Sequence, residues 1–118
     1  MKEFLDYLKA SGYTPCEKKF STDIRRNGEF VFNLRDTEEE QPEVLLWCLK
    51  ELDSVRREGV SLIRELLYNA DDPDGVVKGG WEVIDGPYGA DAGDTLGSGP
   101  TMTAAAISAV CALPLEGA

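Results

Sequence analysis

A chain of 118 residues supports one domain with one modest core, and a hydrophobic content of 42% carried in periodic segments places it among folded globular proteins. With 22 acidic against 12 basic residues it bears a net charge of −10, a field that repels nucleic acid and anionic membrane and attracts a basic surface. Histidine is absent, which removes the usual general base, the commonest zinc ligand and every Ser-His or Cys-His nucleophile pair.

The charge is uneven. Residues 1–70 hold 14 acids and 11 bases, whereas residues 71–118 hold 8 acids and the single base Lys78. Cys16, Cys48 and Cys111 lie far apart without a CxxC pair, and an odd count in a short chain argues against a disulfide framework. Cys48 and Cys111 fall on apolar helix faces and read as small buried hydrophobes. The apolar runs are too short to span a bilayer, and the start MKEFLDYLK lacks the apolar block of a secretory signal, so the expected location is the cytoplasm.

In chain order, Lys2 to Leu8 predicts a short helix with Phe4, Leu5 and Leu8 on one side, stopped by Ser11-Gly12 and serving to cover a sheet. The run FSTDIRRNGEFVFNL predicts a hairpin around Asn27-Gly28. A two-residue turn would pair Arg25 with Phe30 and Asp23 with Phe32, mixing charge and aromatic on one face. A three-residue loop, Arg26-Asn27-Gly28 with Gly28 left-handed, pairs Ile24 with Phe30, Thr22 with Phe32 and Phe20 with Leu34, and one face becomes apolar apart from Thr22. Register follows the buried face, so the three-residue loop is expected.

Thr37 with Glu40 fits a capping box, and Pro42 fits a first helical turn, so the next helix begins at either place. Asp36, Glu38, Glu39, Glu40 and Glu43 stand there without a base among them. Acids favour the positive end of a helix and solvate it, and the same five carboxylates form a candidate docking patch for Arg and Lys. From Pro42 to Tyr68, apolar residues at Leu45, Cys48, Leu49, Leu52, Val55, Gly59, Leu62, Ile63, Leu66 and Leu67 keep helical phase. One long helix is expected, of roughly 40 Å at 1.5 Å per residue. A break near Asp53-Ser54, with either residue capping a second helix, is the alternative. Such a helix overhangs a domain of this size and leaves a homodimer open, although no heptad pattern asserts one.

Residues 69–75 read as a turn whose Asp71, Asp72 and Asp74 extend the candidate acidic docking surface. Asp72, Asp74 and Gly75 would fit positions 3, 5 and 6 of a calcium loop, but Ala70 and Trp81 would then hold positions 1 and 12 without a ligating oxygen, so no EF-hand and no metal is expected. Val76 to Ile84 predicts a second hairpin, or one strand interrupted by a glycine bulge at Gly79-Gly80. A glycine-rich loop, residues 86–99, leads into an alanine-rich helix from Thr101 to Leu113 with Met102, Ala106, Ala109, Val110 and Leu113 facing inward. Its small side chains allow close packing, and Pro114 ends it.

Two sites follow as candidates besides the acidic patch. The glycine turn before the last helix presents backbone N–H groups that suit a phosphate or carboxylate, with Asp91, Asp94, Ser98, Gly99 and Thr101 as the ligand-binding set. The loop has no Lys or Arg and matches neither the Walker pattern nor GxGxxG, and capping by Ser98 or Thr101 explains the residues more simply. Paired carboxylates are the remaining enzymatic route, but no particular two are marked, and the expectation is that the protein is not an enzyme and uses no cofactor. Trp47, Trp81, Tyr88 and Phe30 read as core or cover, without the basic stripe of a nucleic-acid platform.

Three segments in order, FSTDI at 20–24, GWEVIDGPYGADA at 80–92 and PTMTAAAISAVCAL at 100–113, resemble a small phage-encoded family, the phage ABA-sandwich proteins. The resemblance covers about a third of the chain. It implies a phage or prophage origin and an α+β layered fold, and it carries over no catalytic residue.

The elements together predict a single α+β domain over 1–118, with an antiparallel sheet of about four strands packed against one long central helix and flanked by N- and C-terminal helices. The expected function is a non-enzymatic acidic protein that binds a basic protein surface. An inhibitor of a host nucleic-acid-binding defence protein would do so by placing carboxylates where phosphates would lie. The alternative is a small-ligand protein that holds a nucleotide or other anion in the 86–101 loop.

Overall fold

The computed structural model describes residues 2–37, 39–55, 59–68, 76–86 and 93–113. Within them run α1 (Lys2–Ala10), β1 (Thr14–Glu17), β2 (Ser21–Arg26), β3 (Glu29–Arg35), α2 (Pro42–Val55), β4 (Val60–Tyr68), β5 (Val76–Asp85), β6 (Thr95–Gly99) and α3 (Met102–Cys111). The fold is α+β, but the strands form two three-stranded antiparallel sheets, β1-β2-β3 and β4-β5-β6, in place of the one sheet of about four strands. Helix α2 packs on β3, α3 packs on β5 and β6, and the two helices pack on each other, so the contacts run sheet, helices, sheet.

The long central helix does not form. Helix α2 stops at Val55, Gly59 has a left-handed φ of 74°, and the chain continues as β4. A left-handed residue cannot propagate a right-handed helix, and glycine takes that conformation at least cost. Beyond it Val60 and Leu62 pack against the core, while Ser61 between them donates its hydroxyl to the Gly86 carbonyl at 2.8 Å. Apolar residues two apart serve a strand as well as residues four apart serve a helix, so unbroken phase alone does not distinguish the two. The Asp53-Ser54 alternative sets the break close to where α2 ends, but its second helix does not form, because the second half is a strand and Ser54 Oγ donates to the Glu51 carbonyl at 2.7 Å.

The first hairpin also differs from expectation. Asn27 and Gly28 have φ of 53° and 80°, and Arg26 pairs with Glu29, which makes a two-residue turn with both central residues left-handed. Arg25 then pairs with Phe30, but Ile24 pairs with Phe32 and Thr22 with Leu34, so Val31 is the extra residue of a bulge in β3. The turn supplies the twist that strands prefer, and the bulge restores the apolar face: Ile24, Phe32 and Leu34 are buried. Phe20 and Phe30, expected on that face, are instead 82% and 54% exposed. β1 pairs with β2 from Thr14–Arg25 to Glu17–Thr22, an edge strand that no periodicity announces.

Phe32 sits at the centre of an aromatic cluster, stacked with Phe4 of α1 at a centroid distance of 6.2 Å and tilted against Trp47 of α2 at 5.2 Å. Tyr13 meets the same indole edge-on at 5.5 Å. Helix α1 thus covers the first sheet as expected, and it ends as expected at a left-handed Gly12 with the Tyr13 N–H returning to the Leu8 carbonyl. In the second sheet, Arg64 pairs with Trp81 and Leu66 with Lys78, so β5 carries one extra residue at Gly79-Gly80. Of the two readings of this stretch, the single bulged strand forms. β6 is the strand hidden in the glycine-rich loop, pairing with β5 from Trp81–Gly99 to Ile84–Thr95. Of the residues expected to face inward from the last helix, Ala106, Ala109, Val110 and Leu113 are buried and Met102 is half-buried.

On the other face of the first sheet Asp23 is buried, with its carboxylate 2.7 Å from Lys18 Nζ and accepting from Asn33 Nδ2 at 2.8 Å. The Lys18 and Asn33 hydrogen bonds hold its carboxyl below the ordinary value. Because the charged form is favoured by folding, this contribution is whole at neutral pH and is lost as pH falls through the lowered folded value. Urea midpoints of the native protein should therefore fall on acidification from pH 5 to pH 2 more steeply than those of Asp23→Asn, and parallel slopes would remove Asp23 as a source.

Candidate partner-binding groove

Gln41, buried at the start of α2, places the acidic segment that precedes it. Its side chain accepts from the Arg35 N–H at 2.8 Å and donates to the Arg35 carbonyl at 2.9 Å, acting as a short strand partner at the end of β3. Its own N–H donates to Thr103 Oγ1 at 2.9 Å, and that hydroxyl donates to Glu40 Oε1 at 2.9 Å. The Glu40 carboxylate also accepts from the backbone N–H groups of Thr103 at 2.8 Å and Met102 at 3.2 Å, while Thr101 Oγ1 accepts from Ala104 N at 3.0 Å. These are donors that the first turn of a helix cannot satisfy internally, and a carboxylate there also meets the positive end of the helix dipole.

Glu40 therefore caps α3, across a sequence separation of 63, instead of closing a local box with Thr37. Thr37 Oγ1 accepts from Glu39 N, and α2 starts at Pro42 with Leu45 N donating to the Gln41 carbonyl. Replacing Glu40 by alanine should cost about 2 kcal/mol, since two backbone donors and a hydroxyl lose a charged acceptor. Glu40→Gln should lose about half of that, a ranking that chemical denaturation measures directly.

The bridge between segment 36–41 and α3 forms one side of a groove of about 760 Å³. Ala104, Ile107 and Cys111 of α3, Phe4 of α1 and Pro100 supply apolar lining, and Lys2, Glu3, Asp36 and Glu39 stand exposed around it. Burial raises the Cys111 thiol above its ordinary value and the Glu3 charge adds to the shift, while deeper burial raises Cys48, which lies in the core. Both thiols are held protonated at neutral pH, the opposite of an activated nucleophile. A second, smaller hollow of about 440 Å³ adjoins the groove at Asp36 and is lined by Lys18, Lys19, Phe20 and Leu34 among others.

The described candidate residues of the acidic patch separate into three groups. Asp36 and Glu39 line the groove, Glu43 is exposed on the first turn of α2, and Glu40 is committed to α3. Glu38, Asp71, Asp72 and Asp74 lie outside the described residues, as do the proposed turn and the first positions of the calcium reading. Of the ligand-binding set, Thr101 caps α3 and borders the groove. Asp94 is exposed and its carbonyl accepts from Asp85 N at 3.0 Å. Ser98 is exposed on β6 opposite Glu82. Asp91, Tyr88 and Pro114 lie outside the described residues.

Gly99 of this set and nearby Gly97 have a packing role. A Cβ on Gly99 would lie 2.7 Å from the Ala104 methyl, and one on Gly97 2.3 Å from Ala109 N. With its first-turn donors already used by Glu40 and Thr101, the α3 terminus presents less to an anion than its sequence suggests.

Comparison with protein-family models, curated proteins and solved structures finds no match to this chain. Among the described residues no group of three or more His, Cys, Asp and Glu side chains is arranged to hold a metal ion, and no described helix is long and apolar enough to cross a membrane.

Sequence reasoning missed Gln41, Thr103, Ile107 and the α1 residues Lys2, Glu3 and Phe4 as parts of one site. Their only sequence signals are an amphipathic first helix and a threonine in the first turn of the last, which say nothing of where the two meet.

Proposed function

We propose that the chain is a non-enzymatic binding protein whose exposed carboxylates engage a basic partner surface, working as an inhibitor that occupies the nucleic-acid site of a host defence protein. The observation that carries this reading is the way the charge is left available. Between described side chains the ion pair formed is Lys18–Asp23, while Asp36, Glu39 and Glu43 stand exposed beside one another in sequence on a chain of net charge −10. Unneutralised surface carboxylates accelerate encounter with a basic site and fix its orientation. The resemblance to phage ABA-sandwich proteins implies a phage or prophage origin, which supports such a role, and the location we propose is the cytoplasm of a bacterial host.

Capture from a bacterial lysate at 50 mM and 500 mM salt tests the proposal. The expected result is a nucleic-acid-binding protein retained at low salt and lost at high salt, with retention reduced at least tenfold by the double change Glu39→Lys, Glu43→Lys. Glu40 is left intact in that variant because its reversal would disrupt α3. Capture indifferent to both salt and charge reversal would end the proposal.

A further inference from the structure

Phe20 is the most exposed large apolar side chain among the described residues, at 82%, and it stands at the β1–β2 connection directly after Lys18 and Lys19. Lys19 Nζ lies 5.4 Å from its ring centroid, so an aromatic knob and a cation are presented together. The groove between α1, α3 and segment 36–41 has the opposite character. Its lining is apolar at Ala104, Ile107 and Phe4, and Glu3, Asp36 and Glu39 outnumber Lys2 at its mouth.

We infer that this groove receives the Lys18-Lys19-Phe20 knob of a second copy of the chain. The volume of about 760 Å³ exceeds what one phenylalanine ring needs, leaving room for the flanking lysine stems. The apolar ring leaves water and the Lys19 ammonium meets the carboxylates, so both halves of the knob find their complement while Lys18 stays paired with Asp23. Asp36 borders both the groove and the hollow that contains Phe20, which places knob and groove side by side on one chain. Adjacent complementary patches permit a two-fold pair in which each copy inserts its Phe20 into the other, a closed arrangement that buries both knobs at once. Asp36 and Glu39 are two of the three exposed carboxylates offered to the partner proposed above, so pairing of two copies and partner binding compete for them. Glu43 lies outside the groove lining and stays available to a partner in the dimer.

Light scattering coupled to size exclusion, at tens of micromolar protein and low salt, should give about twice the chain mass of 12.9 kDa. Phe20→Ser and Ile107→Glu should each return the monomer mass, and Phe20→Ser should do so with an unchanged circular-dichroism spectrum because the side chain is exposed in the single chain. Contact is read directly by the double variant Cys16→Ser, Ser21→Cys, which sets a thiol beside the knob and keeps Lys18, Lys19 and Phe20. Mild oxidation with copper phenanthroline, which takes two electrons and two protons from the paired thiols, should join the new thiol to Cys111 of the second copy. Adding Cys111→Ser should abolish that dimer band. A monomer at every concentration, or a dimer unchanged by both single substitutions and without the crosslink, would overturn the inference whatever the result of the lysate capture.

Discussion

Gly97→Ala is expected to lower the stability of the protein by about 3 kcal/mol, the upper end for inserting a single group into packed space. The added Cβ would lie 2.3 Å from Ala109 N and 2.8 Å from the Ala105 carbonyl oxygen. Both neighbours are backbone atoms of α3, so no side chain can swing aside, and β6 must move away from the helix as a unit. The same layer holds Gly99 against Ala104 and Gly80 against the Gly99 carbonyl, so a shift of β6 is felt in β5 as well. Domains are stable by only about 5–15 kcal/mol, and a loss of this size is a large share of the total. Gly12→Ala is the informative control. Nothing lies within 4 Å of its Cβ position, but its φ is 92°, so the cost should be the backbone strain alone, about 1–2 kcal/mol. Urea denaturation of the two variants separates crowding from conformation, and equal losses would refute the crowding argument.

Phe32→Ala should cost about 4 kcal/mol, since removal of a buried aromatic leaves a cavity that its neighbours fill only in part. The ring is 1% exposed and contacts both Phe4 and Trp47, so the tie between α1, β3 and α2 is lost together with its apolar area. The emission of Trp47 should shift to longer wavelength as water reaches the indole, a local readout independent of the midpoint. Phe30→Ala, two residues away and 54% exposed, should stay within about 0.5 kcal/mol of the native protein. That contrast tests the register, because a three-residue loop would bury Phe30 opposite Ile24 as well as Phe32, whereas the two-residue turn with its bulge at Val31 leaves Phe30 exposed. Equal destabilisation by the two substitutions would favour the three-residue-loop pairing.

The hairpin shows how far local patterning reaches. Asn27-Gly28 marks a turn, and alternation marks the strands on either side, because both signals arise from backbone preferences of a few adjacent residues. Which phenylalanines are buried depends on a single extra residue, and the bulge is set by what packs above the sheet, namely Phe4 and Trp47. Residues 60–68 mark the opposite limit. Their spacing satisfies a helix, yet a strand forms because β5 offers a partner from Val60–Asp85 to Tyr68–Val76, across one bulge, and the left-handed Gly59 stands before it. Hydrogen-bond partners distant in sequence decide between two periods that a short apolar segment fits equally.

The same division runs through the site. The cluster of acids at 36–43, the absence of histidine, the amphipathic α1 and the alanine-rich α3 are properties of composition and short-range spacing, and the chain carries them whatever its tertiary arrangement. That Glu40 is a structural cap while Asp36 and Glu39 border a groove is settled only when α3 is brought to segment 36–41 across a separation of 63 residues. Side-chain chemistry is written residue by residue and can be read that way. The burial of a charge, its satisfaction by a helix end and the shape of the space beside it are properties of pairs distant along the chain, and they exist only once the chain has closed on itself.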